Sequence, residues 1–247
     1  MHLDVQQLRD FYFHTSLGGV VQRSLLEQMH DFWPHADRQT LLGFGFAVPL
    51  MAPYAENARR LIAVMPAQQG VMHWPGEGDN VALLSDETLW PIATDSVDRL
   101  VMLHGLEASD RPGAVLEEAA RVLAPEGRLL LILPNRRGIW ARRDGTPFGF
   151  GRPYSLGQVE TQLEAHGFTP ERHAAALFFP PSERRFWMRT SRMWERFGRA
   201  VSSYYAGGAL LLEAVRRDPP PPTGLRVTFR QPVRVLDGVR PALRFEP

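Results

Sequence analysis

The sequence predicts an α/β domain built on a doubly wound, mostly parallel sheet of seven strands, with helices on both faces. Three observations carry that expectation. Short apolar runs recur along the chain, at Thr40 to Phe44, Leu61 to Met65, Val81 to Leu84, Val97 to Leu103 and Arg128 to Leu133. Segments of helical spacing lie between them, which is how parallel strands joined by crossover helices read. The first run closes on a glycine-containing turn, Gly43-Phe44-Gly45, after which a helix is expected from about Pro49 to Arg60, with the proline in the first turn. Finally, 247 residues with 44% hydrophobic content suffice to bury one sizeable core.

Taken in order, residues 1–38 form an N-terminal helical segment, where Leu17, Val20, Val21, Leu25 and Met29 recur at helical spacing and Gly18-Gly19 interrupts them. The sheet domain covers residues 39–217. Within it a helix is expected from Pro112 to Leu123 and another from the N-cap Ser155 to about His166, closed by Gly167. Phe168 to Phe179 and Ala209 to Arg216 supply the last two strands. Between these, residues 182–205 carry Phe186, Met188, Met193, Trp194 and Phe197 among arginines and read as an inserted amphipathic helix. From Asp218 the composition changes to four prolines, Pro219 to Pro222, followed by Arg226, Arg230, Arg234, Arg240 and Arg244. Residues 218–247 are expected to be a disordered Pro/Arg-rich tail.

Composition excludes several chemistries. All 28 basic residues are arginine, so neither a Schiff-base lysine nor a P-loop lysine exists. There is no cysteine, hence no disulfide and no thiol nucleophile, which agrees with a reducing compartment. The eight histidines are scattered without ligand spacing, and no metal site is expected. No apolar run reaches the roughly 18 residues of a membrane span, and Met1 to Asp10 lacks the pattern of a secretory signal. A cytoplasmic protein without a membrane partner is expected. The net charge of +1 does not suggest a nucleic-acid partner, a role that would rest on the arginine tail alone.

Three stretches together resemble the class I S-adenosylmethionine-dependent methyltransferase family, in its type 11 branch, over about residues 8 to 216. The first runs from Ser85-Asp86-Glu87-Thr88-Leu89-Trp90-Pro91-Ile92 through Asp95-Ser96-Val97-Asp98-Arg99 and His104-Gly105-Leu106-Glu107 to Arg121-Val122-Leu123-Ala124-Pro125-Glu126-Gly127-Arg128. The second, similar to a bacterial subgroup, runs from Pro134-Asn135-Arg136-Arg137-Gly138 through Thr146-Pro147-Phe148-Gly149 to Gly151-Arg152-Pro153-Tyr154-Ser155. The third is Leu42-Gly43-Phe44-Gly45-Phe46-Ala47. The resemblance implies a Rossmann-like methyltransferase fold, with S-adenosyl-L-methionine as cofactor.

It also implies where the cofactor would touch the chain, and here the pattern is eroded. Gly43 and Gly45 match the glycine loop, but Ala47 replaces its third glycine and Leu41 its acid. A leucine cannot accept hydrogen bonds from an ammonium group. The second strand ends in Ala63-Val64-Met65-Pro66 without the acid that accepts from the ribose hydroxyls, leaving Gln68 as a neutral substitute. Asp86 matches the adenine-contacting acid, with Glu87 as the alternative if the register slips by one. Asp98 is expected to cap or to pair with Arg99.

On the acceptor side, His104 follows the fourth strand at the edge where ligands bind in such sheets, together with Glu107. It is the candidate catalytic base, or else an edge histidine bonded to backbone. Asn135, Arg136, Arg152 and Tyr154 are the candidate substrate residues, suited to a small anionic or aromatic acceptor, or else a loop held by arginine contacts to its own carbonyls. Two functions stay open: an active methyltransferase on a small acceptor, and a non-catalytic member of the fold, a pseudoenzyme that binds a ligand or protein partner. The sequence leaves the acceptor and the oligomeric state undefined.

Overall fold

The computed structural model describes residues 3–35, 37–200 and 206–217. A seven-stranded sheet is formed by β1 (Thr40–Gly45), β2 (Arg60–Pro66), β3 (Ala82–Ser85), β4 (Val97–Leu103), β5 (Leu123–Pro134), β6 (Phe168–Ala176) and β7 (Ala209–Arg216). Their order is β3-β2-β1-β4-β5-β7-β6. The first five are parallel, and β7 runs antiparallel between β5 and β6. After β3 the chain returns to the other side of β1, so the carboxyl ends of β1 and β4 flank the crevice where sheets of this kind take ligands.

All six residues of β1 are buried, as a central strand covered on both faces requires. The pleat divides them. Leu41 packs with Leu25, Met29, Val101 and Leu211 under α1 (Val5–Arg9) and α2 (Ser16–Phe32). Leu42 and Phe44 pack with Leu100, Val115, Leu129 and Leu163 under α4 (Pro112–Val122) and α5 (Leu156–Ala165). Glu213 of β7 lies fully buried in the first layer, accepting from Trp33 Nε1 at 2.7 Å and Arg172 Nε at 2.7 Å.

Several expectations need correction. The N-terminal segment breaks at Thr15, not at Gly18-Gly19: a turn of π-helix, Asp10–His14, ends there, and extended Thr15 caps α2 by accepting from Gly18 N at 2.9 Å. Gly18 is helical, and a Cβ on it would run into the carbonyl of Phe11. The helix expected from Pro49 to Arg60 shrinks to α3 (Val48–Met51) and one 3-10 turn, Ala52–Tyr54. Pro53 has no N–H to give to the Pro49 carbonyl, which accepts from Gln22 Nε2 at 2.8 Å instead.

Residues 67–81 and 86–96, between the strands, carry turns and no helix, with Gly70 and Gly78 in left-handed backbone. Asp98 does not pair with Arg99; its Oδ2 accepts from Thr40 N at 2.7 Å and Arg59 at 3.2 Å, tying β4 to the start of β1. β6 ends at Ala176, because Leu177 takes a left-handed conformation that turns the chain out of the sheet. The inserted helix, α6, is Arg185–Ala200. Residues 182–184 of its expected span precede it in non-helical backbone, while 201–205 and the tail 218–247 lie outside the described residues.

Candidate functional site

The site begins where β4 ends. His104 has a left-handed φ of 53°, a costly conformation for a residue with a Cβ that persists only where its surroundings fix it. Tyr12 Oη lies 2.7 Å from His104 Nε2, Glu107 Oε1 lies 3.0 Å from His104 Nδ1, and the His104 carbonyl accepts from Gln69 Nε2 at 2.8 Å. Phe148 meets the imidazole edge-on, and Phe46 stacks on Tyr12. All six side chains are buried. A carboxylate only accepts, so Nδ1 carries the proton toward Glu107 and Nε2 is left to the phenol. Burial, reinforced by the negative charge of Glu107, raises the Tyr12 hydroxyl well above the ordinary tyrosine range, so it stays protonated and able to donate.

This array fills the crevice between β1 and β4. Gly45, with φ 76°, brings the glycine loop against the chain after β4: a Cβ there would collide with the Leu103 carbonyl and stand 2.8 Å from Gly105 N. Phe46 N already donates to Leu103 O at 2.7 Å. Gly43 is pinned by Met51 and Ala47, which occupy the space a side chain would need. What remains is a cavity of about 10 Å³ lined by Pro66, Gln68, Gln69, Glu87, His104 and Gly105 among others. That is smaller than the roughly 300–1,000 Å³ of small-molecule pockets. Gln69 Oε1 and Glu107 Oε2 are nevertheless buried without a hydrogen-bond donor.

The implied cofactor therefore does not fit this arrangement. Leu41 is wholly buried in apolar core and offers nothing to an ammonium group. Of the two adenine candidates, Asp86 is exposed and engaged by Thr88, whose N and Oγ1 donate at 2.8 and 2.7 Å. Those bonds, aided by the Arg111 charge, hold its carboxyl below the usual aspartate range. Glu87 is the one that turns inward to the cavity, with Arg111 Nε 3.7 Å from its carboxylate. Gln68 lies at the exposed rim.

A second, open cleft of about 640 Å³ lies along the same sheet edge beside α5. Arg136, Arg152, Tyr154, Gln158 and Gln162 line it, with Pro112. Both arginines are exposed, and neither has a carboxylate or carbonyl partner among the described residues. Burial, and then the charge of Glu107, raises the Tyr154 hydroxyl, with Arg152 opposing. The two clefts share a wall, because Arg152 N donates to the Glu107 carbonyl at 2.8 Å. Asn135 stands apart. It is buried, gives Nδ2 to Gly207 O at 2.8 Å and takes Arg137 N at 3.1 Å on Oδ1, so it shapes the loop and faces neither cleft.

The structure thus brings His104, Glu107, Gln68 and Glu87 to one crevice and Arg136, Arg152 and Tyr154 to its neighbour. Sequence reasoning missed Tyr12, Phe46 and Gln69. Tyr12 is 92 positions from the imidazole it meets, and its only signal was a place on the buried stripe of an N-terminal helix.

Residues 42–131 match the model of the methyltransferase domain family. No curated protein matches the sequence. Among solved structures, a possible histamine N-methyltransferase from Thermotoga maritima superposes with a TM-score of 0.55 at 18% identity, over 81% of this chain and 91% of its own. A putative methyltransferase from Haloferax volcanii, in complex with the activator Trm112, gives 0.60 at 16%, over 85% and 98%. The 1,6-didemethyltoxoflavin-N1-methyltransferase of Burkholderia thailandensis, with that substrate and S-adenosylhomocysteine bound, gives 0.51 at 15%, over 80% and 78%. These likenesses establish the class I fold.

Proposed function

We propose, from the match of residues 42–131 to the methyltransferase domain model, that the chain is an S-adenosylmethionine-dependent methyltransferase acting on a small anionic or aromatic acceptor. The observation that carries the reading is the open cleft with two unpaired guanidinium groups and a tyrosine, sharing a wall with the crevice at His104. Guanidinium pairs suit carboxylate or phosphate, and the ring of Tyr154 suits a planar body.

The bound cofactor would supply an electrophilic methyl; the chain would bind, align and keep water away. Arg136 and Arg152 hold the acceptor's anionic end. His104, with its second nitrogen on Glu107, is the base available to a nucleophile that must lose a proton, but only once Tyr12 releases Nε2. The reading therefore requires the α1 and π-helical segment to withdraw from the crevice, which would open the Gly43 to Gly45 backbone and Glu87 alongside Gln68 and Asp86, which are already exposed. The cysteine-free composition suits the cytoplasm.

The filled crevice favours a second reading, a non-catalytic member of the family that keeps only the acceptor cleft. Calorimetric titration of S-adenosylhomocysteine into the wild type and into Tyr12→Ala separates them. The enzyme reading expects binding that the variant strengthens, since opening no longer draws on the affinity. If neither protein binds at millimolar ligand, the enzyme reading falls and the non-catalytic one stands.

A further inference from the structure

α6 joins the carboxyl end of β6 to the start of β7 and so lies at the same sheet edge as both clefts. Its inner face is settled: Ser191 and Glu195 are buried, Glu195 Oε1 accepts from Phe178 N at 3.0 Å, and a Cβ on Gly198 would run into the Phe178 ring. The outer face is not polar, as a surface helix would have it. Phe186, Met193 and Phe197 are 60%, 56% and 63% exposed. At 100° per residue they fall on one line, spaced by seven and four positions. Arg185, Arg189, Arg192 and Arg196, all exposed, flank that line on one side.

Among the described residues, no carboxylate lies within salt-bridge distance of Arg185, Arg189 or Arg196, and Arg192 reaches Glu27 only at 4.0 Å. The outer face offers no acid of its own, because Glu195 points inward. A basic helix with a large amphipathic asymmetry and an aromatic-aliphatic line is the pattern that lies in a membrane interface. We propose that this face of α6 docks on an anionic lipid bilayer, the phenylalanines and Met193 entering the headgroup boundary while the arginines meet lipid phosphates.

Charge complementarity selects this occupant over two others. A second copy would bring the same arginines into opposition across a two-fold axis. The chain's own segment 218–247 carries five arginines against two acids after its prolines and would be repelled. No described helix is long and apolar enough to cross a membrane, which leaves surface attachment open; the sequence reading, which looked for a span, expected no membrane partner. Docking here would turn the sheet edge bearing both clefts toward the lipid.

Flotation of the full chain with phosphatidylcholine vesicles, with and without phosphatidylglycerol, tests this. Binding is expected only with the anionic lipid, and it should weaken as salt is raised. The doubly substituted Phe186→Ser/Phe197→Ser should lose most of it. Arg189→Gln and Arg196→Gln should each weaken it about fivefold, the factor that about 1 kcal/mol per surface arginine represents. All these side chains are exposed, so circular dichroism should be unchanged. Equal binding to neutral vesicles, or retained binding by the double serine variant with the basic tail intact, would overturn the proposal. So would a wild type that ignores vesicles but forms a dimer the serine variant cannot, which would assign the face to a second copy.

Discussion

Two clefts a few residues apart on one sheet edge have been treated in opposite ways. At the end of β4 the groups are turned inward: Tyr12 and Glu107 bond the His104 ring, Gln69 bonds its carbonyl, and Phe46 takes up the space between β1 and the N-terminal cover, with Gln69 Oε1 and Glu107 Oε2 left without donors. Beside α5, Arg136 and Arg152 stand in an open cleft without partners. The difference shows where stability resides and where recognition can. Buried polar groups are costly to separate, so the first cleft contributes to the folded state and resists a ligand. Exposed unpaired arginines contribute almost nothing to stability and are available to an anion.

Substitutions should divide along that line. The largest effect is expected at Phe46, whose truncation in Phe46→Ala removes a fully buried ring and should cost about 3–5 kcal/mol in chemical denaturation. A loss below 1 kcal/mol would mean that the N-terminal cover repacks freely and that the crevice is easily opened. Next, Tyr12→Phe keeps the ring and deletes the hydroxyl. It leaves His104 Nε2 buried without its partner and should cost about 1–3 kcal/mol. An unchanged stability would show that water replaces the phenol at no cost.

Acid offers a third way to loosen the cover, at its far end, where Trp33 closes α2. Burial pushes the Glu213 carboxyl up, but hydrogen bonds from Arg172 and Trp33, together with the charges of Arg172 and Arg128, outweigh it and hold the group below the ordinary glutamate value. A depressed value contributes stability that is present above the unfolded pKa, near 4.3, and lost as pH falls through the folded one. Thermal scans of the wild type should therefore lose stability below about pH 4.3, and Glu213→Gln should flatten that slope. A parallel slope in the variant would place the acid sensitivity elsewhere, for example at Glu118 beside Arg121.

The smallest effect on stability belongs to the open cleft. Arg136→Ala and Arg152→Ala should each change it by no more than about 0.5 kcal/mol. Binding of benzoate or phenyl phosphate should nevertheless fall, and the double variant should lose it. If anion binding survives both substitutions, the cleft has no recognition role and the comparison fails on that side.

The sequence by itself determined the sheet. Apolar runs such as Leu100 to Leu103 are buried whatever they pack against, and the glycine turn after β1 can be read because Gly45 needs a left-handed backbone. The arginines and tyrosine of the open cleft were legible for a related reason: they sit together on one loop, near in sequence and in space. What only the tertiary structure decided is the closure of the first cleft. Tyr12 meets His104 across 92 positions, and Glu87 rather than Asp86 turns inward because two bonds from Thr88 engage its neighbour. Local pattern records which residues a strand or turn requires. It does not record which distant side chain fills the space they leave, because that depends on how the whole chain packs.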